Sequence, residues 1–340
     1  MAHSRASTSA DTSAPVRKRS ASGQTTRRTA AGTAGLTHGT SAAPTPRKSK
    51  LHRREHRVAF AFVAIPIVGF LVFTLYPLGY SIYASMTNWN GLGVMNWVGL
   101  DNYTKMFSDT YFRKALYNTF FMMIGIPIGL TISLLLALAL NRKMRGTTFF
   151  RTVYYLPVIS SIAAIAILWQ WAFNGDFGLI NQALALVGID GPNWLMDKNT
   201  VKPGLILMSV WKGLGYSMLL YLAAIQSVPR SLYEAASLDG ANAFQKFRQI
   251  TLPMVRPVTF FLVVTSIIGG SQIFIEINIM TPTGGPEYSS ATIVWYIWQK
   301  AFENMQMGYA SAMSVVLGLI VFTITAIQFR VNARNSFSVD

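Results

Sequence analysis

Residues 231–253 read SLYEAASLDGANAFQKFRQITLP, a polar segment that stands between two long apolar stretches. Ser231 and Glu234 have the spacing of a capping box, in which each side chain satisfies a backbone amide at the start of a helix. Asp239 and Gly240 predict the end of that helix, because glycine readily adopts the left-handed conformation found there. The segment therefore predicts a short helix followed by a tight turn.

A second short helix is predicted after the turn. Asn242 can cap its first residues, and Pro253 is expected to end it and to place Leu252 in an extended conformation. Small side chains would lie on one face of the pair, namely Ala235, Ala236, Ala241 and Ala243. A helix pair of this kind fits into a groove on another protein.

The segment resembles the EAA loop of permease subunits of ATP-binding-cassette (ABC) importers, a cytoplasmic loop that docks on the ATPase subunit. The matching positions are Glu234, Ala235, Ala236, Asp239, Gly240, Ile250, Leu252 and Pro253, with Pro257 after them. The resemblance implies that residues 231–257 couple the chain to an ATPase. The implied coupling residues are Glu234, Ala235, Ala236, Asp239, Gly240, Leu252 and Pro253.

The same resemblance implies an all-α, polytopic type I ABC importer permease fold. It also implies several partners. These are a second homologous permease subunit, an ABC ATPase dimer that binds ATP and Mg, and an extracellular or periplasmic solute-binding protein.

Composition indicates a membrane protein, because apolar residues make up 51% of the 340 residues and charged residues only 12%. The sequence has no cysteine, and its four histidines all lie in the first 56 residues. The apolar body therefore has neither the usual ligands of a zinc site nor a catalytic His or Cys. No G-x-x-x-x-G-K-[ST] phosphate loop occurs either. We predict no catalytic residue, no metal and no cofactor bound by this chain, which would be a transport subunit and not an enzyme.

Residues 1–50 are predicted to form a disordered, basic cytoplasmic tail. Residues 1–57 hold twelve of the basic and two of the acidic residues, a net charge of +10 out of +16. Such a segment cannot bury enough apolar surface to fold, and its charge would anchor the first span and contact anionic lipid. A transit peptide or a nucleic-acid-binding arm would have a similar composition, but we predict no nucleic-acid partner.

Six apolar runs are long enough to cross a bilayer as helices. The predicted spans are residues 58–80, 118–140, 153–173, 205–225, 258–279 and 310–329. Basic residues before the first span and in residues 141–151 place both termini in the cytoplasm. The resemblance to ABC importer permeases implies a multi-pass protein of the plasma membrane of a bacterium. The predicted organisation is the tail (1–50), a first transmembrane helix with an outer segment (51–115), and a permease core with five further helices (116–340).

Glu276 is the one acidic residue that the sequence places within a span, where a carboxylate should face protein or water. Polar and aromatic residues of the fourth and fifth spans could form a sugar path with it, namely Gln272, Asn278, Trp211 and Tyr216. Glu276 could equally hold two helices together or lie near the outer surface. Lys212 is expected to reach the membrane interface or to pair with an acidic residue.

Residues 280–286 read MTPTGGP, and this turn-rich stretch resembles the T-x-G-G-P segment of carbohydrate permeases of the same class. That resemblance implies carbohydrate import. A neutral oligosaccharide is favoured over glycerol 3-phosphate or another polar solute, because the spans offer a phosphate only Lys212. An ion-coupled secondary sugar carrier is the alternative from another class, and a membrane-embedded enzyme is a more distant one.

Overall fold

The computed structural model describes residues 50–142 and 145–336. Within those ranges the secondary structure is helical, apart from an isolated antiparallel bridge between Thr87 and Trp97. The chain divides into two units, Met1–Ala61 and Phe62–Asp340. The described part of the first unit is the helical stretch 50–61, so the predicted tail lies almost wholly outside the described residues.

The helices are, in chain order, α1 (Lys50–Phe70), α2 (Tyr76–Ser85), α3 (Asp101–Ser108), α4 (Thr110–Met122), α5 (Gly125–Leu140), α6 (Thr147–Ile159), α7 (Ile162–Ala172), α8 (Leu179–Ala185), α9 (Val201–Gln226), α10 (Arg230–Leu238), α11 (Ala243–Lys246), α12 (Leu252–Met254), α13 (Arg256–Gly270), α14 (Ile275–Met280), α15 (Ile293–Trp298) and α16 (Met307–Ser336). Wider π-helical turns at Leu71–Leu75, Phe247–Thr251 and Gln299–Glu303 continue the helices next to them.

Four helical stretches in the described residues are long and apolar enough to cross a membrane: Val58–Ser85, Thr110–Leu140, Val201–Gln226 and Met307–Ala333. They correspond to the predicted first, second, fourth and sixth spans. Two further stretches pass the same test only as bent pairs of helices, which would bring the total to six. The chain is therefore a multi-pass membrane protein.

The predicted third and fifth spans are not single straight helices in the structure. α6 and α7 meet at an angle of 101°, because Ser160 and Ser161 are extended between them. In the fifth region α13 ends at Gly270, and α14 starts afresh at Ile275. Consecutive glycines favour such an end, since glycine lowers helix stability by about 1 kcal/mol relative to alanine. Glu276 thus lies in a short separate helix and not in the middle of a span.

Close packing of α5 and α6 against α9 forms the centre of the bundle. On α5, Gly125 lies against Ile206 and Val210, and Gly129 lies against Val210. On α9, a Cβ atom at Gly215 would collide with the backbone of α6. Glycine at these positions lets the helix backbones approach closely.

Two clusters of buried apolar side chains stabilise the fold. One joins α4, α7, α9, α14, α15 and α16 and contains Phe173, Trp295 and Met313. The other joins α5, α9 and α13 and contains Tyr221 and Leu262. A cavity lined by Met122 of the first cluster and Leu130 of the second lies between α4 and α5 on one side and α9 on the other.

The polar segment folds as a helix, a turn and a second helix. α10 starts at Arg230, directly after Pro229, and has no side-chain cap. The predicted capping box of Ser231 and Glu234 is therefore wrong, because a capping residue must precede the helix and Ser231 is already inside it. The predicted turn is confirmed, since Gly240 has a φ of +77°.

The start of the second helix is also confirmed. The Asn242 side chain accepts a hydrogen bond from the Gln245 amide (2.9 Å), and the Gln245 side chain accepts one from the Asn242 amide (2.7 Å). The predicted end is wrong, because Leu252 is helical (φ −62°, ψ −43°) and the helix continues to Met254. Pro253 therefore lies inside the continuous helical stretch of residues 243–254, just after the π-helical turn Phe247–Thr251.

Candidate functional site

A cavity of about 350 Å³ lies where α4 and α5, the middle of α9, and the α13–α14 junction meet. That volume is within the range of about 300–1,000 Å³ typical of small-molecule sites. The lining is mostly apolar or small and comprises Met122, Met123, Gly125, Ile126, Gly129, Leu130, Ser209, Val210, Lys212, Gly213, Ser217, Ser266, Gly269, Gly270, Ile273 and Glu276.

Lys212 and Glu276 are the charged residues of this lining, and they come from α9 and α14. Both are partly exposed. They do not form an ion pair, and the ion pair seen among the described residues joins Lys198 to Glu287 at 3.4 Å. The ammonium and carboxylate groups therefore remain free to bind a solute. With the hydroxyl groups of Ser209, Ser217 and Ser266, the cavity offers both donors and acceptors to a polyhydroxylated molecule.

Glycines leave room inside this cavity. A Cβ atom added to Gly213 or Gly269 would meet no atom within 4 Å. Both residues lie in regular helix, so the backbone conformation does not require glycine there. Their lack of a side chain instead leaves the cavity open. Larger side chains at these positions would extend into the cavity.

The predicted path residues other than Glu276 lie outside the cavity lining. Gln272 faces a different cleft, between α13, α15 and α16. Trp211 packs edge-on against Trp169, with ring centroids 5.5 Å apart. Tyr216 is 43% exposed on α9, and Asn278 is half-buried in α14. The sequence prediction did not include the serines and glycines of the lining. Small residues recur along the three apolar runs that form the cavity, and this pattern could have identified them.

The turn-rich loop after α14 is fixed firmly to α4. Asn118 is 1% exposed, and its amide donates to the backbone oxygens of Tyr288 (2.8 Å) and Ala291 (3.0 Å). Gly284 and Gly285 have φ values of +78° and +77°. A Cβ atom at Gly284 would come within 3.0 Å of two neighbouring side chains. A Cβ atom at Gly285 would collide with the Ser290 side chain. The two glycines of the T-x-G-G-P-like stretch are thus required both by conformation and by space.

A second cleft, of about 670 Å³, lies between this loop and residues 167–196. Its lining includes the loop residues Thr281–Thr283 together with an aromatic ring and amide side chains, those of Trp171, Gln170, Asn174 and Asn193. It holds no charged side chain. The cleft could bind an uncharged polar group by ring stacking and hydrogen bonds.

Asp109 connects three helices near the same loop. It caps α4 by accepting from the amides of Tyr111 (2.9 Å) and Phe112 (3.3 Å), and it accepts from the hydroxyls of Tyr296 (2.7 Å) and Tyr309 (2.8 Å). Burial opposes ionisation of Asp109, but these hydrogen bonds outweigh it and lower its pKa. Burial and the bond to the carboxylate raise the pKa of Tyr296. The cluster therefore keeps a charged carboxylate between two neutral phenols.

The helix pair of residues 230–254 presents the predicted coupling residues to solvent. Glu234, Ala235, Asp239 and Gly240 are exposed, whereas Ala236 and Pro253 are half-buried and Leu252 is 38% exposed. Leu238 is 90% exposed and Phe244 is 68% exposed. Large apolar side chains at the tip of a polar segment are typical of a protein interaction surface.

Residues 125–336 match the family described as the inner membrane component of binding-protein-dependent transport systems. The chain belongs to this family. The matched region contains the helix pair of residues 230–254, the loop after α14 and all residues that line the 350 Å³ cavity except Met122 and Met123.

Relatives named as transport permeases are similar in sequence over most of the chain. The sequence is 39% identical to the probable ABC transporter permease protein YesP of Bacillus subtilis, covering 84% of this chain and 94% of YesP. It is 34% identical to the diacetylchitobiose uptake system permease protein NgcF of Streptomyces coelicolor (84% and 85% covered). It is 37% identical to the lactose transport system permease protein LacF of Rhizobium radiobacter (84% and 97% covered).

A solved family structure has the same fold. That crystal structure is of a bacterial alginate ABC transporter in complex with a periplasmic protein that holds an alginate pentasaccharide. One of its chains superposes with a TM-score of 0.74 and 25% identity, covering 84% of this chain and 96% of that one. The predicted membership among carbohydrate-uptake ABC permeases is confirmed, and the protein is an ABC importer permease.

Proposed function

We propose that this chain forms half of the translocation pathway of an ATP-driven importer for a neutral oligosaccharide. The observation that carries the proposal is the central cavity, in which Lys212 and Glu276 face a space lined by serines and glycines. Hydroxyl groups of a sugar can donate to the carboxylate and accept from the ammonium group. Relatives named for diacetylchitobiose and lactose uptake support a saccharide substrate.

Glycerol 3-phosphate is the second candidate, because permeases named for its transport are also relatives, at 32–35% identity. The cavity argues against it. A phosphate would meet one cation, Lys212, and would be repelled by Glu276 in the same lining. A charge-balanced cavity suits an uncharged solute better.

The proposed coupling surface is the exposed helix pair of residues 230–254. Glu234 and the exposed side chains of Leu238 and Phe244 would enter a groove of an ABC ATPase, which would bind and hydrolyse ATP with Mg. The proposed partners further include a second permease subunit and a solute-binding protein outside the cell. Under this proposal both chain termini and the helix pair lie in the cytoplasm of a bacterial cell, and the chain lies in its plasma membrane.

Uptake by the reconstituted complex tests the substrate. Labelled neutral di- and trisaccharides would be offered to vesicles that contain the permease pair and ATPase, with the binding protein outside, and glycerol 3-phosphate would be the comparison. ATP-dependent accumulation of a saccharide supports the proposal. Accumulation of glycerol 3-phosphate alone would favour the second candidate, and uptake that needs an ion gradient but no ATP would favour a secondary carrier.

Co-purification tests the coupling surface separately. We expect Glu234→Lys to lose the ATPase from the detergent-extracted complex, because a reversed charge would face the groove. Glu303→Lys is the matched control, since Glu303 is also exposed but lies next to α15. Retention of the ATPase by the Glu234 variant would contradict the proposed docking.

A further inference from the structure

A third cavity, of about 530 Å³, lies at the end of the bundle from which α10 emerges. It is formed by the last residues of α5 and α9 and the first residues of α6 and α10. Its lining includes three arginines, Arg142, Arg151 and Arg230, with the polar side chains of Gln226 and Tyr233. No acidic residue contributes to the lining.

The three guanidinium groups have no counterion in the described part of the chain, where no carboxylate oxygen lies within 4.0 Å of any of them. The Nε atom of Arg151 is buried and has no hydrogen-bond partner among the described residues. A buried donor without a partner is destabilising, and three like charges in one cavity repel each other. An anion with several acceptor oxygens would accept a hydrogen bond from this Nε atom and would also reduce the repulsion between the three arginines.

The surroundings identify the kind of anion. The start of α6 exposes Phe149 (66%) and Val153 (47%) next to the cavity, and Leu140 at the end of an apolar span is part of the lining. Arginines between the ends of membrane helices lie at the depth of the lipid head groups, where basic pockets bind anionic lipids. Arginine also suits phosphate, because its planar fork binds two oxygens at once.

We propose that Arg142, Arg151 and Arg230 bind the phosphodiester head group of an anionic phospholipid. The acyl chains would extend along the exposed apolar side of α6. Because Arg230 is the first residue of α10, the bound head group connects the base of the helix pair to the ends of α5 and α6. The site is independent of which solute the permease carries.

Native mass spectrometry of the complete transporter measures this binding directly. The detergent-purified complex would be incubated with phosphatidylglycerol or with phosphatidylcholine of the same acyl chains. We expect phosphatidylglycerol to be retained at least tenfold more than phosphatidylcholine. Equal retention of the two lipids would overturn the proposal without any variant.

Substitution then assigns the site. Arg151→Gln and Arg230→Gln should each lower phosphatidylglycerol retention at least tenfold, because each removes charge-assisted hydrogen bonds to the phosphate. Arg145→Gln is the matched control, since Arg145 is exposed on the same loop but does not line the cavity. Arg151→Lys keeps the charge and the fold and should retain an intermediate amount. Unchanged retention in the glutamine variants would overturn the assignment.

Two further outcomes distinguish other occupants. Inorganic phosphate added without lipid would protect the arginines from a guanidinium-modifying reagent if the site held a free anion, and stronger protection by phosphate than by phosphatidylglycerol would overturn the lipid assignment. Loss of the ATPase from the glutamine variants, with lipid retention unchanged, would place a carboxylate of the partner protein there instead.

Discussion

Replacement of Gly240 tests whether the turn between α10 and α11 must keep its shape for an ATPase to dock. Gly240 has a φ of +77°, and a Cβ atom added there would meet no atom within 4 Å. The cost of a substitution therefore comes from backbone conformation alone. For an ordinary L residue in the left-handed region this conformational free energy is about 1–2 kcal/mol. Asparagine tolerates this region better than alanine, and β-branched valine tolerates it worse.

The cost should appear as weaker docking. If the observed turn is the form that fits the ATPase groove, other loop conformations compete with it, and the apparent affinity falls with the competent fraction. A cost of about 1–2 kcal/mol corresponds to at most about 5–30-fold. We expect Gly240→Asn to bind nearly as well as wild type, Gly240→Ala to bind about fivefold more weakly, and Gly240→Val to bind most weakly.

The assay is titration of the purified ATPase onto the permease in lipid nanodiscs, followed by uptake in reconstituted vesicles. Gly79→Ala is the control, because it adds the same methyl group to open space on α2. Equal affinity across the Gly240 series would refute the reasoning that docking needs the left-handed turn. If the asparagine variant bound the ATPase as weakly as the valine variant, the presence of a side chain and not the φ angle would determine the affinity.

Three other changes have expected outcomes. Gly213→Leu should fill the central cavity and lower uptake at least tenfold with thermal stability retained, whereas Gly79→Leu, also in open space, should leave uptake unchanged; equal uptake by both would contradict the assigned path. Asn118→Ala should lower the free energy of unfolding by roughly 2–3 kcal/mol, because two buried carbonyls lose their donor; a thermal midpoint equal to wild type would show that water replaces the amide. Asp109→Ala should destabilise the fold by roughly 2–4 kcal/mol through the lost cap and phenol bonds. Because the pKa of Asp109 is lowered from 3.8, its contribution is complete above about pH 4 and is lost as the pH falls through the lowered value, so acid unfolding of Asp109→Asn should depend less on pH over that range.

Local features of the sequence were sufficient for much of this fold. Long apolar runs predict helices that can cross a membrane, because an unpaired backbone group cannot be left in hydrocarbon. The turn at Gly240 and the cap at Asn242 depend on the conformational freedom of one residue and on one side chain. Such features act over three or four residues and can be read without knowledge of the neighbours.

Other features depend on which distant residues meet. Asp109 bonds to tyrosines 187 and 200 positions further along the chain, and Lys212 and Glu276, from α9 and α14, line the same cavity. Ser231 and Pro253 fit local rules that the structure did not follow, since α10 had already started at Arg230 and the second helix of the pair continued past residue 252. The sequence by itself determined a helical membrane protein with an exposed helix pair. Tertiary packing decided where helices break and which polar groups share a cavity, because both depend on contacts that no local pattern encodes.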